Sequence, residues 1–566
     1  MHLLVALSSL FLIVSAGEIT VPLNNNEFLI QWDVDYKKQD VTFDVNLGEN
    51  PPVSLLFGFS DHGQYNYSDA ILYNEGRRLT DGSIDRNMIW TPDVSQNVKT
   101  LRLRSDVITF RRPFITCDSQ DYAIETGTTQ LIIAASWNHE ISSLRDEHVY
   151  KEMRFSKLLG EEKDGHSLIE LDAIKVKVLA HEAHIPAETT TYWCVTRSLP
   201  VVMQQKKHHI IGIDSVIQPG NEHYVHHMEV FLCSDEVEEY SGNCNDPKKP
   251  RESKSCSHVI AAWAMGEGPI TYPEEAGLPV GGLQTKVSVM VEIHYNNPEH
   301  VAGVIDNSGF QFIATPSLRK YDAGIMELGL IYSDANSIPP GQKSFAMNGI
   351  CSPECTHHLP EGGIQIFGSQ LHAHLTGRKL WTSHYRNGVK IGEVNRDMHY
   401  SPHWQHLQSV VPKVNVLPGD SLVTTCVYDT TARSKTTLGG YGIEDEMCVN
   451  YIYYYPASPI EVCKSAISNS TLRSYFSLRH GLKSNLPISK LYNSVDWNDD
   501  YAKELGALFR SSPLNMHCLK GDGSFFSNTR TSRSGRFDWK KLPQPRIFAA
   551  PFIKQRDDLE CPAMND

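Results

Sequence analysis

The chain has 566 residues, of which 40% are hydrophobic and 21% charged, so its composition excludes a disordered or collagen-like protein. At about 150 residues per domain, this length predicts three or four domains. The formal net charge of −14 argues against nucleic acid as a partner and favours small cationic substrates.

Residues 1–16, MHLLVALSSLFLIVSA, have the pattern of a secretory signal peptide. An apolar segment covers residues 3–14, and the small residues Ser15 and Ala16 follow it. The segment is shorter than the roughly 20 residues of a membrane span, and no later run of the sequence is that apolar. We expect a protein without a stable membrane span that enters the secretory pathway and resides in the lumen of secretory vesicles or is secreted.

Twelve cysteines follow this segment, and in an oxidising compartment this even number predicts six disulfides. Cys351 and Cys355 are close enough in sequence for a zinc site, but no second close pair accompanies them, which favours disulfides. Sequons at Asn66 and Asn469 predict glycosylated surface loops.

Strand patterns dominate the chain. Runs such as 286–294 and 364–367 are short, β-branched or alternating, and bounded by Gly, Pro, Asn and Asp. The best helix candidate is 463–482. The pattern predicts a mostly β protein of antiparallel sandwiches. We divide it into a signal peptide (1–16), a first β-domain (24–140), a charged linker (141–168), a second β-domain (169–316), a third β-domain (317–466) and a C-terminal extension with some helix (467–566).

Histidine pairs are the candidate metal ligands. His372 and His374 stand at i and i+2, so a strand places them on one face, where both can bind one ion. His226 and His227 are adjacent and would point to opposite faces of a regular strand, so joint ligation requires a bend or bulge. Either pair by itself is weak evidence for a metal site. The same holds for Met447, which in isolation is typical of a core methionine.

Four sequence words together resemble one family. They are HHMEVFLC (226–233), VEIHYNNP (291–298), LHAHLTGRK (371–379) and EMCVNYIYYYP (446–456). In this order they resemble the copper type II, ascorbate-dependent monooxygenases, most closely the branch of the tyramine and dopamine β-hydroxylases. The similarity extends to TTYWC (190–194), YPEEAGL (272–278) and DAGIMELGL (322–330), and the first β-domain resembles a DOMON domain at SLLFGFSDHG and RPFITCDSQDY.

The resemblance implies a DOMON-like sandwich followed by two jelly-roll-like copper domains, with two copper ions per chain. The resemblance implies that the ligands of the family's electron-transfer copper correspond to His226, His227 and His294 in this chain. The ligands of its oxygen-activating copper correspond to His372, His374 and Met447, which are the expected catalytic residues. Imidazole suits both oxidation states of copper, whereas a thioether favours Cu(I), the state that meets dioxygen.

The implied reaction inserts one atom of dioxygen into a benzylic C–H bond while ascorbate supplies two electrons. No convincing Ser-His-Asp set suggests hydrolysis instead. The expected substrate is a small aromatic amine, with tyramine to octopamine favoured over dopamine to noradrenaline. Discrimination between these two substrates depends on one pocket group, and no residue decides it by inspection.

Four residues are candidate substrate contacts. Gln370 occupies the position where the peptide-amidating branch has an arginine that binds the carboxylate of its substrate. This chain therefore lacks that carboxylate-binding arginine. Glu327 is the candidate partner of the substrate ammonium, although it could equally be a solvated strand residue. Tyr451 and Tyr454 are candidate walls of the pocket.

The family's cysteine pattern also carries over and implies a partner for every cysteine. Residues 482–489 lack the additional cysteines that can link subunits in the vertebrate members, which leaves open a homodimer without intersubunit disulfides. The implied pairs are Cys117–Cys561, Cys194–Cys244, Cys233–Cys256, Cys351–Cys463, Cys355–Cys518 and Cys426–Cys448.

Three alternative functions are kept. The protein could be a secreted binding or adhesion molecule that has lost the chemistry, or a zinc hydrolase that uses His399, His403 and His406, although Pro402 would break the helix these require. It could also be an orphan monooxygenase of the same family that acts on a hydrophobic substrate in the endoplasmic reticulum. The pair His208–His209 falls outside the family words, and we interpret it as structural.

Overall fold

Antiparallel β-sheets make up most of the computed structural model, which confirms the predicted fold class. The residues it describes are 16–526 and Arg536–Phe537, apart from 62, 76–78, 119, 160–171, 265–267, 283–287, 443 and 522. They divide into two compact units, the first drawing on the ranges 1–164 and 397–399 and the second on 165–396 and 400–548. The predicted signal peptide, except for Ala16, lies outside the described residues.

The first unit is a sandwich of two sheets with strand orders β1-β2-β3-β9-β8 and β11-β10-β4-β5-β6-β7. Period-2 alternation buries one face of β2, and the inner faces bring together the rings of Phe43, Phe57, Phe59 and Phe110. Its strands are β1 (Ala16–Leu23), β2 (Asn26–Asp35), β3 (Asp40–Asn46), β4 (Ser54–Ser60), β5 (Asp69–Asn74), β6 (Gly82–Ile84), β7 (Trp90–Pro92), β8 (Lys99–Leu103), β9 (Val107–Pro113), β10 (Thr129–Ser136) and β11 (Tyr150–Ser156).

Strand β11 lies inside the segment 141–168 that we expected to be a linker. It pairs with β10 at the edge of the sheet, with Met153 opposite Ile132 and Phe155 opposite Gln130. Charged residues on an edge strand discourage pairing with other chains, and here they concealed the strand pattern in the sequence.

A buried ion pair lies between the sheets of the first unit. The side chain of Arg112 is completely buried and pairs with the carboxylate of Asp69, which also accepts the backbone N–H of Tyr122 at 2.8 Å. A second carboxylate, that of Asp121, lies 4.0 Å from the same guanidinium nitrogen. Arg112 therefore compensates buried negative charge that has no access to water.

The first sandwich of the second unit combines the sheets β12-β23-β15-β20-β24 and β17-β14-β21-β16-β18. Its elements are β12 (Ile174–Leu179), β13 (Ala183–His184), β14 (Thr190–Ser198), α1 (Val201–Gln205), β15 (His208–Val216), β16 (Val225–Cys233), β17 (Tyr240–Asn243), β18 (Cys256–Ala264), β19 (Ile270–Thr271), β20 (Ala276–Val280), β21 (Ser288–Asn296), β22 (Ile305–Asp306), β23 (Gly309–Thr315) and β24 (Tyr321–Asp322), with a 3₁₀ turn at Arg251–Ser255.

The second sandwich of this unit combines the sheets β30-β27-β32-β25-β33-β34-β35 and β26-β31-β28-β29. Its elements are β25 (Gly324–Leu330), a 3₁₀ turn (Asp334–Asn336), β26 (Phe345–Cys351), α2 (Pro353–Thr356), β27 (Ile364–His372), β28 (Gly377–Arg386), β29 (Val389–Asp397), β30 (Gln408–Val416), β31 (Ser421–Tyr428), β32 (Val449–Tyr455), β33 (Ile460–Ile467), α3 (Asn469–His480), α4 (Ile488–Asn493), α5 (Asp499–Ser511), β34 (Leu514–Lys520) and β35 (Arg536–Phe537).

The expected helix 463–482 begins later than predicted. Cys463 belongs to β33 instead, where a disulfide to Cys351 and pairing with β25 and β34 hold it in the sheet. Helix α3 then starts after Ser468, whose hydroxyl accepts the N–H of Thr471, and ends at Gly481, whose φ is 66°. None of the helices in the described residues is both long and apolar enough to cross a membrane.

The two sandwiches of the second unit share a core and polar contacts. Phe367 and Tyr455 of the second pack against Tyr272 and other core residues of the first. Glu275 of the first accepts the hydroxyl of Tyr455 at 2.5 Å and pairs with Lys413. This packing fixes the surfaces that the two sandwiches present to each other.

Five of the six expected disulfides form in the described residues. Cys117 is also disulfide-bonded, and Cys561 lies outside the described residues. The observed pairs are Cys194–Cys244, Cys233–Cys256, Cys351–Cys463, Cys355–Cys518 and Cys426–Cys448.

The buried ion pair makes a stability prediction. Replacing Arg112 by Met leaves buried carboxylates without a counter-ion, so we expect Arg112→Met to lower the free energy of unfolding by about 3–5 kcal/mol. The neighbouring Arg111 is partly exposed and lies 3.6 Å from Asp40, so Arg111→Met should change it by only about 0–1 kcal/mol. Denaturant unfolding of the full chain measures both, and equal effects would contradict the prediction.

Candidate metal centres and the cleft between them

Three imidazoles converge on neighbouring antiparallel strands of the first sandwich. His226 and His227 lie on β16, and His294 lies opposite His227 on β21. The register between strands β16 and β21 shifts between Val225 and His227. This irregularity is what two adjacent histidines need in order to face the same side of the sheet. One ring nitrogen from each histidine lies within 4.8 Å of the others, and Nδ1 of His227 is 3.1 Å from Nδ1 of both partners.

The surroundings favour the neutral, metal-binding form of these rings. Burial lowers the pKa of His226, His227 and His294, that of His294 to about 4, and the neighbouring imidazoles lower these pKa values further. The Nε2 atom of His294 is buried and has no hydrogen-bond partner among the described residues. Neutral imidazole nitrogens grouped in this way fit a copper ion.

The second donor set lies in the second sandwich. His372 ends strand β27, His374 follows two residues later, and their ring centroids are 5.1 Å apart. Nδ1 of His372 lies 2.5 Å from Oε1 of Gln405, and Nδ1 of His374 lies 3.0 Å from the carbonyl oxygen of Asp445. Because both partners are acceptors, each Nδ1 carries the proton and each Nε2 keeps its lone pair for a metal.

Met447 lines the same cleft as these two histidines. Its carbonyl accepts the Tyr428 hydroxyl at 2.8 Å, and the next residue, Cys448, is bonded to Cys426. The preceding residue, Glu446, is buried and accepts the backbone N–H groups of His374 and Thr376 at 3.2 and 2.9 Å. Glu446 therefore ties the histidine segment to the methionine segment, and a thioether with two imidazoles fits copper.

A cleft of about 870 Å³ separates the two donor sets. On the first wall, His227 and Glu229 of β16 stand opposite His294 and Glu292 of β21. His226 and His227 of the first set and His372, His374 and Met447 of the second set line this same cleft.

On the second wall, Gln370, Tyr451 and Glu327 stand side by side on three adjacent strands. All three line the cleft. Glu327 is not a lone carboxylate, however, because it pairs with the buried Lys464 and accepts the hydroxyl of Tyr332 at 3.2 Å.

Tyr454 does not line the cleft. It follows Tyr453 on β32, and its hydroxyl lies 3.4 Å from the carbonyl of Ser458 and 3.3 Å from that of Ile460. Alternation along the strand directs it into the core behind the sheet, the opposite side from Tyr451. The structure thus corrects the expectation that Tyr454 forms a wall of the pocket.

The other histidine pairs have ordinary partners. Nε2 of His209 lies 2.8 Å from Asp322, and its Nδ1 accepts the N–H of Arg319. His399 contacts Asp61 and the carbonyl of Ala123. Among the described residues, no group of three metal-ligating side chains contains His399, His403 or His406, so the zinc-hydrolase alternative lacks a site.

Sequence reasoning missed four polar residues of this region: Gln405, Glu446, Lys464 and Glu229. Two of them were visible as members of quoted words, Glu446 beside Met447 and Glu229 two positions after His227. Gln405 and Lys464 lie outside those words, and only the folded chain brings them to His372 and Glu327.

Gln405 provides a test of the second donor set. Removing a partner that orients a ligand typically weakens metal affinity about 10- to 100-fold, so we expect Gln405→Ala to weaken one of two copper-binding phases by that factor. Chelator competition against the protein measures both phases. The control is Gln365→Ala, which lies on the strand of His372 but outside the cleft lining, and equal affinities in both variants would contradict the assignment.

Comparisons with known proteins agree with the two-sandwich arrangement. The C-terminal domain model of the copper type II ascorbate-dependent monooxygenases matches residues 321–476, the N-terminal domain model of that family matches 176–302, and a DOMON domain matches 24–137.

Curated relatives cover most of the chain. It is 54% identical to tyramine beta-hydroxylase of Caenorhabditis briggsae, over 98% of this chain and 96% of that protein. It is 36% identical to dopamine beta-hydroxylase of Rattus norvegicus, over 96% of this chain and 88% of that protein. It is 32% identical to DBH-like monooxygenase protein 1 of Homo sapiens, over 74% of this chain and 72% of that protein. The chain therefore belongs to the copper type II, ascorbate-dependent monooxygenases, as a copper enzyme that uses ascorbate and dioxygen.

Proposed function

We propose that the enzyme hydroxylates the benzylic carbon of a phenylethylamine, converting tyramine to octopamine. The observation that carries this proposal is a cleft with a three-histidine set on one wall, a two-histidine and methionine set on the other, and aromatic and acidic side chains between them. The similarity to a tyramine beta-hydroxylase at 54% identity supports this substrate over dopamine, whose hydroxylation to noradrenaline is the second candidate.

Two copper ions per chain fit the two donor sets. His226, His227 and His294 would hold the first ion, and His372, His374 and Met447 the second. Bound copper supplies one-electron redox chemistry and the activation of dioxygen. The protein keeps the imidazoles neutral by burial, orients His372 through Gln405 and fixes His374 through Asp445 and Glu446.

The cleft lining also has an apolar part. Apolar side chains from both walls contribute to it. They are Phe231, Val259, Ile331, Val462 and Leu519.

Gln370 and Tyr451 are the proposed substrate contacts on the second wall. Gln370 is buried, and its Nε2 donates to the carbonyl of Gln405 at 3.2 Å. In the part of the chain that the structure describes, its Oε1 has no hydrogen-bond partner. A free buried acceptor beside the metal ligands suits a hydroxyl or ammonium donor of the substrate. Tyr451, with its ring centroid 6.4 Å from that of His372, supplies an aromatic wall.

The cellular setting follows from the disulfides. Disulfide-rich chains belong to oxidising compartments, so we propose a location in the vesicle lumen or outside the cell. Asn469 is exposed at the start of α3 and Asn66 lies in a turn, which supports glycosylation at both sequons. A homodimer would form without intersubunit disulfides, because the described cysteines are all paired within the chain.

Two of the alternative functions predict different results for copper binding and for turnover of the amines. A binding or adhesion protein that has lost the chemistry would bind no copper, whereas the grouped neutral imidazoles support copper binding. An orphan monooxygenase would bind copper but leave both amines unchanged. The intact HHM word at 226–228 favours the amine hydroxylase.

Turnover of tyramine and dopamine tests the proposal directly. With copper and ascorbate supplied, we expect β-hydroxylated product from tyramine, about two copper ions per chain, and a higher kcat/KM for tyramine than for dopamine. Two coppers without product from either amine would contradict the substrate assignment. Copper-free protein after reconstitution would contradict the enzyme assignment.

Met447→Ile tests the second donor set. Replacing the thioether by a hydrocarbon removes a copper ligand while conserving volume, so we expect loss of hydroxylation with an unchanged thermal unfolding midpoint. Met347→Ile changes a buried methionine outside the cleft and should keep activity. Turnover retained by Met447→Ile would show that the second copper is misassigned.

A further inference from the structure

The backbone between the two histidines of the second donor set leaves its sheet. Strand β27 ends at His372, which stands opposite Val449 in the last pair of its ladder with β32. Ala373 follows outside the strand and is completely buried, so its N–H and C=O need partners other than a neighbouring strand or water. Leaving both groups unsatisfied would cost free energy, and the segment would shift to relieve it, moving both histidines.

The hydroxyl of Tyr400 provides both partners. It accepts the N–H of Ala373 at 2.9 Å and donates to the C=O of the same residue at 2.6 Å. Tyr400 lies between β29 and β30 and is itself only 2% exposed, and both hydrogen bonds are buried. A hydroxyl carries one proton and two lone pairs, so this single group can fill both roles.

The ring of Tyr400 lies against the turn that carries His374. The N–H of Gly377 donates to the C=O of His374 at 3.1 Å and closes this turn. A Cβ atom at residue 377 would lie 2.7 Å from Cβ of Ala373 and 3.3 Å from Cε1 of Tyr400. The glycine therefore permits a close approach of turn and ring, and this packing keeps the hydroxyl at Ala373.

The hydroxyl acts at a different point from the neighbouring carboxylate. Glu446 accepts the N–H groups of His374 and Thr376, so it fixes the segment from His374 onwards. Ala373 is the single residue between the two histidines, and its backbone sets the distance between theirs. Tyr400 therefore restrains the part of the chain that determines the spacing of the two imidazoles.

We propose that Tyr400 is a positioning residue of the second copper site, whose hydroxyl fixes the backbone of Ala373 and so holds His372 and His374 at the spacing for one copper ion before the ion binds. This inference rests on the proposed assignment of these histidines to the second copper. The acceptors at each Nδ1 orient the individual rings, whereas Tyr400 fixes the backbone between them. Support from outside the ligand set limits the rearrangement that metal binding requires.

The first test needs no metal. Tyr400→Phe removes the hydroxyl and keeps the ring. Tyr492→Phe is the matched control, because Tyr492 is buried in the same core and its hydroxyl also donates to a backbone carbonyl, that of Ala335 at 3.0 Å, outside the cleft lining. In the copper-free full chain, we expect amide hydrogen exchange of residues 371–377 to become about 10-fold faster in Tyr400→Phe and to stay unchanged in Tyr492→Phe.

The second test measures copper by chelator competition and by the EPR spectrum of bound Cu(II). We expect two binding phases in the wild type and in Tyr492→Phe. In Tyr400→Phe, the phase that Gln405→Ala also weakens should lose about 10- to 100-fold in affinity, and its EPR signal should change. The other phase should keep its affinity, which also shows that the variant is folded.

Exchange and copper affinities equal to those of Tyr492→Phe would overturn the inference. Faster exchange without a loss of copper affinity would overturn it as well, because the backbone restraint would then have no consequence for the metal. Equal weakening of both phases would do the same, because the hydroxyl would then stabilise the fold and not one site. Faster exchange and a weakened second phase, with no product from tyramine in the wild type, would contradict the proposed function while supporting this inference.

Discussion

The metal-binding half of the molecule depends on grouping imidazoles that are buried and uncharged. A protonated histidine repels both its neighbours and a metal ion, so burial and mutual proximity must keep each ring neutral. Adjacent antiparallel strands bring His294 beside His227, and the register irregularity brings His226 to the same side. Fixed acceptors at Nδ1 of His372 and His374 then select the tautomer that leaves Nε2 available.

Covalent and packing constraints keep these groups in place. Cys233–Cys256 joins the end of β16 to β18, and Cys426–Cys448 anchors the residue after Met447. The shared core around Tyr272 and Phe367 holds the two sandwiches together on one side of the cleft. Such support from outside the ligand set limits how far the donors can drift before a metal binds.

Charge is distributed unevenly across the cleft. Glu327 is paired with Lys464, whereas Glu229 and Glu292 face each other on the wall of the three-histidine set, where burial raises the pKa of both carboxyl groups, that of Glu229 to about 7. Aromatic residues such as Tyr332, Tyr441 and Tyr451 lie on the opposite side.

The sequence by itself determined the fold class, the family and the cysteine partners that the described residues contain. These follow from local patterns and from short words that together resemble one family, such as HHMEVFLC. It misjudged Tyr454, because strand phase decides which tyrosine of a run faces the cleft, and it took 141–168 for a linker, because edge-strand charges concealed the alternation. Only the tertiary structure decided the electrostatics of the cleft. Lys464 neutralises Glu327 although 137 residues separate them, and no local pattern records a contact at that distance in the chain.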